Sequence, residues 1–177
     1  MKKLICLLSL FLWSVAAWAQ ESKIPQMLEI VQVENDAVNL SYEVLNIPKD
    51  GVNHYYLDMG TLGIGDEVIQ VHVDPLFRLF IPLGNSLEGA LEKMIMIKDQ
   101  FQKAPGSFIE VEGCLAAAFP TDELETVTIT TRKVMLSRKL EFSLQREDYI
   151  RATYISKSDF ASLVGSLKFY LKLHPKE

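Results

Sequence analysis

Histidine and carboxylate spacing is the first chemistry to weigh in this chain. His72 and Asp74 stand two residues apart, which on a strand points both side chains to one face. With Asp58, Asp66 and Glu67 near them in sequence, they would supply the nitrogen and oxygen donors of a divalent-ion site. The other two histidines, His54 and His174, do not fall at ligand spacing, and no D-x-D-x-D-G loop occurs. The stretch therefore reads as a solvated polar strand face, and no metal or other cofactor is expected.

Nucleophilic chemistry has no better support. Cys114 sits in Gly113-Cys114-Leu115-Ala116-Ala117-Ala118, an apolar run without a neighbouring base, so it reads as a small buried hydrophobe. There is no G-x-S-x-G elbow and no Ser-x-x-Lys with its companion motifs. Gly60, Gly63 and Gly65 are not spaced as a phosphate cradle and lead into an alternating strand rather than a helix, so they read as a loop or bulge. A hydrolase would need His54 or His72 to converge with carboxylates in a cleft. Arg132, Lys133, Arg138, Lys139, Arg146 and Arg151 make a basic cluster interleaved with Glu141, Glu147 and Asp148, as expected of cross-strand charge pairs on a wet sheet face. A patch for an acidic ligand is the sharper alternative.

The last helix carries a different signal. Phe160, Leu163, Val164, Leu167 and Leu171 form one apolar stripe, while Phe169 falls about half a turn away from it. Leu173 lies near Phe169, and Ser162, Gly165 and Ser166 line the same side. Apolar residues above small ones outside the main stripe imply that another surface comes close: the other helix, a second sheet layer or a partner protein. Phe169, Leu173 and Gly165 are the candidate interaction surface.

Strands dominate the elements that must hold these residues. Alternation marks strands over 27–33, 37–45, 55–59, 68–73, 76–81, 108–118, 126–130, 134–136, 140–144 and 149–155. Asp74-Pro75 reads as a turn, and the polar residues Ser137-Arg138-Lys139 read as the connection between two strands. Helical periodicity appears over about 86–103, with Asn85 as cap, and over 157–173, opened by the capping box Ser156-Lys-Ser-Asp159. Strand-rich blocks that each end in a helix predict an α+β fold with antiparallel sheet and two amphipathic helices. The strands-then-helix order occurs twice, which admits a duplicated unit, although no residue-level repeat accompanies it.

The first nineteen residues set the compartment. Lys2 and Lys3 precede an apolar run from Leu4 to about Val15, and Ala17-Trp18-Ala19 offers an Ala-x-Ala cleavage site. Residues 1–19 thus read as a signal peptide, 20–26 as a flexible start and 27–175 as one globular domain. Cys6 lies within the leader, so the product is not expected to be a lipoprotein, and Cys114 alone makes no internal disulfide. A periplasmic or extracellular location, in bacteria, fits that cysteine usage.

Removing the leader takes two of the 18 basic side chains and none of the 23 acidic ones, for a net charge of about −7. The deficit is uneven, because residues 20–106 carry 6 basic and 13 acidic side chains and residues 107–177 carry 10 of each. The acidic first half disfavours phosphate backbones and anionic membranes, and nucleic acid is not an expected partner. Both tryptophans leave with the leader, which lowers the case for sugar stacking, though Tyr55-Tyr56 remains a candidate platform. The expectation is a non-catalytic exported domain that binds a protein or cell-envelope component. A carrier whose apolar cavity is lined by Met59, Met94, Met96, Phe77 and Phe80 is the alternative. N-terminal sequencing of the protein recovered outside the cytoplasm should read from Gln20; an intact leader on the cytosolic protein would overturn the export reading.

Overall fold

The computed structural model describes residues 26–35, 40–64, 72–117, 124–145 and 150–175. Residues 1–25, where the leader and its cleavage site are expected, and Asp66, Glu67, Arg146, Glu147 and Asp148 lie outside the described residues. In chain order the elements are β1 (Leu28–Asn35), β2 (Leu40–Asn46), β3 (Tyr55–Ile64), β4 (His72–Gly84), α1 (Leu87–Asp99), a 3₁₀ turn (Gln100–Gln102), β5 (Phe108–Ala117), β6 (Glu125–Val134), β7 (Ser137–Gln145), β8 (Ile150–Ser156) and α2 (Lys157–Leu173). Four strands and a helix therefore follow one another twice, the α+β order expected.

All eight strands belong to one antiparallel sheet in sequential order, and β3 also pairs with β8. The first half of β3 (Tyr55–Asp58) lies between β2 and β4, while Gly63 and Ile64 pair with Ala152 and Arg151 of β8. This second pairing closes β3 to β8 into a ring and leaves β1 and β2 as an extension ending in the edge strand β1.

Alternation places Tyr42, Val44, Leu57, Met59, Leu79, Ile81, Val127, Ile129, Leu140 and Phe142 in one core with both helices. From α1 come Leu87, Ala90, Met94 and Ile97, and from α2 Phe160, Leu163, Val164 and Leu167. The rings of Phe101 and Phe160 meet at 5.9 Å and 59°, joining the 3₁₀ turn to α2. Tyr42 donates its hydroxyl to the Tyr154 carbonyl at 2.7 Å, tying β2 to β8. Burial, helped by the negative charge of Asp159, pushes the Tyr42 hydroxyl well above its usual range, so it stays a donor. On the opposite sheet face Leu45, Phe80 and Leu115 form a smaller cluster with Met27 and Tyr56 against it. Leu79 and Ile81 of β4 thus face the main core and Phe80 the smaller cluster.

Several sequence expectations need correction. Ser86, not Asn85, caps α1, accepting the Gly89 N–H on its hydroxyl. Asp74-Pro75 does not turn the chain but lies within β4, where the β3 register jumps between Arg78 and Val73; an irregular ladder tolerates a residue without an N–H. The connection between β6 and β7 is Met135-Leu136 rather than Ser137-Arg138-Lys139, because the ladder runs on to Val134↔Ser137. Tyr55 and Tyr56 face opposite sides of the sheet and form no common platform. Ser156 does cap α2, accepting the Asp159 N–H at 3.1 Å.

Because Phe160 is fully buried where α2 meets the Phe101 ring, Phe160→Ala should destabilise the fold by about 3–5 kcal/mol. Equilibrium urea unfolding checks this; an unchanged midpoint would show that α2 does not anchor the core.

Candidate functional site

The α2 helix turns its stripe inward against β1, β2, β7 and β8, so the opposite face meets solvent beside the edge strand. Between that face and β1 runs an open groove of about 750 Å³, lined by Val31, Gln32, Ser162, Gly165, Ser166, Phe169, Tyr170 and Leu173. Phe169 is 63% exposed and Leu173 61% exposed. The three residues singled out from the sequence thus come together on one wall, and Phe169 is not packed against the other helix or a second sheet layer. Tyr170, which lines the groove, stacks on His174 with ring centroids 4.3 Å apart.

Gly165 sharpens the site. Glycine within a helix costs about 1 kcal/mol relative to alanine. A Cβ built at Gly165 meets nothing within 4 Å, and its φ does not lie in the left-handed region. Neither backbone conformation nor internal packing therefore requires glycine there. The other wall is the outer edge of β1, whose backbone pairs only with β2 among the described residues. Gln32, whose side-chain N–H donates to Ser41 at 2.7 Å, and Ser166 also line the groove.

A second constellation had no signal in the sequence. Asp58 is fully buried on the sheet face away from the helices, where its carboxylate contacts the Arg78 guanidinium. Its Oδ1 accepts the Gly60 N–H at 2.8 Å, and Glu43 lies 3.7 Å from the same guanidinium. Arg78 also stands 5.8 Å over the Phe80 ring. Burial pushes the Asp58 carboxyl up to about 6, and Arg78 and the Gly60 N–H, which favour the charged form, offset only part of that. The carboxylate braces a bulge: Gly60 has φ +69, and a Cβ there would lie 3.0 Å from the Ser41 carbonyl oxygen. The geometry gives Asp58 a structural task.

The remaining candidates disperse. Cys114 is buried, its thiol pushed up to about 12 by desolvation, so it stays protonated at neutral pH. His54 lies between β2 and β3, where its backbone N–H donates to Asn46 Oδ1 at 3.2 Å. The side chains of His72, Asp74 and Phe77 lie outside the description. Among the described residues, no three His, Cys, Asp or Glu side chains gather as a metal site. Of the residues proposed to line a carrier cavity, Met59 and Met94 lie in the main core, Phe80 on the opposite sheet face, and Met96 is 49% exposed.

The basic cluster also divides. Arg132 makes a two-point pair with Glu141 at 2.9 and 3.0 Å, and Tyr154 donates to the same carboxylate at 2.7 Å, the cross-strand pairing expected. Arg151 does not belong with it, being buried in β8 opposite Leu144.

The unfolded value of Asp58, 3.8, lies below its folded value of about 6, so the protonated form favours folding. Its stabilising contribution, about 3 kcal/mol, is complete below about pH 4 and is lost as pH rises through about 6. Urea midpoints of the wild type should therefore fall relative to Asp58→Asn between those limits; parallel pH profiles would contradict this.

Compared with protein-family models, with curated proteins and with solved structures, the chain matches none.

Proposed function

We propose that this protein is a non-catalytic binding domain exported to the bacterial cell envelope, and that the groove between α2 and β1 seats an extended segment of a partner protein. The observation that carries this reading is the groove wall itself, with Phe169 and Leu173 exposed above a helical glycine that nothing inside the chain requires. Small residues at 162, 165 and 166 leave room for a backbone to lie close against the helix. The outer N–H and C=O groups of β1 offer that backbone a ladder to join, while Phe169 and Leu173 receive its apolar side chains. Export rests on the leader and its Ala-x-Ala site. No helix among the described residues is long and apolar enough to cross a membrane.

Two variants separate binding from folding. Gly165→Ala should stabilise the isolated protein by up to about 1 kcal/mol, because alanine favours the helix and its methyl meets open space. The same methyl should weaken a partner that lies against the groove. Phe169→Asp should leave the unfolding free energy within about 0.5 kcal/mol of wild type, as expected of an exposed position. Affinity capture from native envelope with the wild type and both folded variants provides the measurement. A species retained by the wild type and lost by both supports the groove; identical retention by all three would sink it.

A further inference from the structure

The β6–β7 hairpin ends in two residues that do nothing for the fold. Met135 is 89% exposed and Leu136 102% exposed, and Met135 has φ +54, the left-handed region that favours glycine. Two-residue hairpin turns ordinarily use Asn-Gly, Asp-Gly or Gly-X because those residues accept the required dihedrals. This turn instead places two large apolar side chains at a convex tip, one of them on an unfavourable backbone. Just below the tip, Lys133 stands directly opposite Arg138 and Arg132 directly opposite Lys139. Like charges across a ladder repel, and these two pairs put cations on both faces of the hairpin.

Local contacts hold the hairpin up to the residues just below its tip. Arg138 donates to the carbonyls of Phe101 and Lys103 at 2.9 and 3.1 Å, satisfying groups just beyond the C-terminus of α1. Thr131 donates its hydroxyl to the Gln100 carbonyl at 2.7 Å. Arg132 is paired with Glu141, whereas Lys133 and Lys139 meet no carboxylate among the described residues. The result is an exposed two-residue apolar tip just beyond the contact with the end of α1, with Lys133 and Lys139 beside it.

We propose that this tip docks the protein on an anionic lipid bilayer, Met135 and Leu136 entering the boundary between headgroups and acyl chains while Lys133 and Lys139 meet lipid phosphates. A protein partner would need a pocket to receive a convex two-residue tip, whereas a bilayer yields to one. Charge complementarity points the same way, because apolar burial and attraction to anionic headgroups add at the same depth. The net negative charge of the chain does not oppose this, since the cations that matter stand within about one Debye length of the surface and more distant charges are screened. This surface is separate from the α2–β1 groove, and neither reading depends on the other.

The test uses the purified exported protein and vesicles of phosphatidylcholine alone or mixed in equal parts with phosphatidylglycerol. Both tryptophans lie in the leader, so Leu136→Trp would provide the sole indole of the processed chain. Its emission should shift to the blue with the mixed vesicles and be quenched by brominated acyl chains, and show neither change with phosphatidylcholine alone. The double variant Met135→Gly/Leu136→Ser relieves the turn, should fold at least as stably, and should lose about tenfold or more in vesicle partition by sedimentation. Lys133→Gln and Lys139→Gln should each cost about fivefold, and added salt should weaken the wild type. Equal binding to both vesicle types, or unchanged binding by the double variant, overturns the proposal. So does tip-dependent retention on polyglutamate without vesicle binding, which would assign the tip to an acidic protein.

Discussion

Ring closure in this fold depends on one buried carboxylate. Strand β3 must leave β2 and reach β8 within ten residues, and it does so by a bulge at Gly60. Asp58 holds that bulge through the Gly60 N–H and is itself held by Arg78 from β4. Arg78 and the Gly60 N–H offset part of the cost of burying that carboxylate, and Glu43 shares the Arg78 guanidinium. The inward side chains of β3 to β8 and both helices share one core because the ring closes there.

That closure also decides which surfaces remain open. With β3 engaged on both sides, β1 becomes the far edge of the sheet and α2 comes to lie over it. The groove is thus a consequence of the extension that the ring leaves outside itself. The β6–β7 hairpin is pinned near its turn, where Arg138 meets the carbonyls just beyond α1. Gly165 and Met135 break a local preference for no gain within the chain, one of helix propensity and one of backbone dihedral. A residue that weakens the isolated fold without an internal contact directs attention to what lies outside it.

That Phe169, Leu173 and Gly165 share a helix side apart from the buried stripe was legible in the sequence because a helix has a fixed period. Once Phe160, Leu163, Val164 and Leu167 define the buried stripe, the angular position of Phe169, Leu173 and Gly165 follows from 3.6 residues per turn. What the period does not reveal is the neighbour on that side, here β1. The Asp58–Arg78 pair left no trace because its members lie on different strands, and their meeting depends on a bulge that shifts the register by one residue. Asp58 looked instead like one more acid near His72. The apolar turn was missed for a related reason: polar residues mark most turns, so Ser137-Arg138-Lys139 was the natural reading, yet ladder register put Met135 and Leu136 at the tip.

Local rules, then, were enough for most element types, the α+β class, both helices and the apolar stripe of α2, because helical and strand periods are written in consecutive residues. Three-dimensional packing alone settled strand partners, the ring closed by β3 and β8, the burial of Asp58 and Arg151, and the exposure of Met135 and Leu136. Those features depend on which distant segments meet, and a strand's two edges look alike until its neighbours are in place.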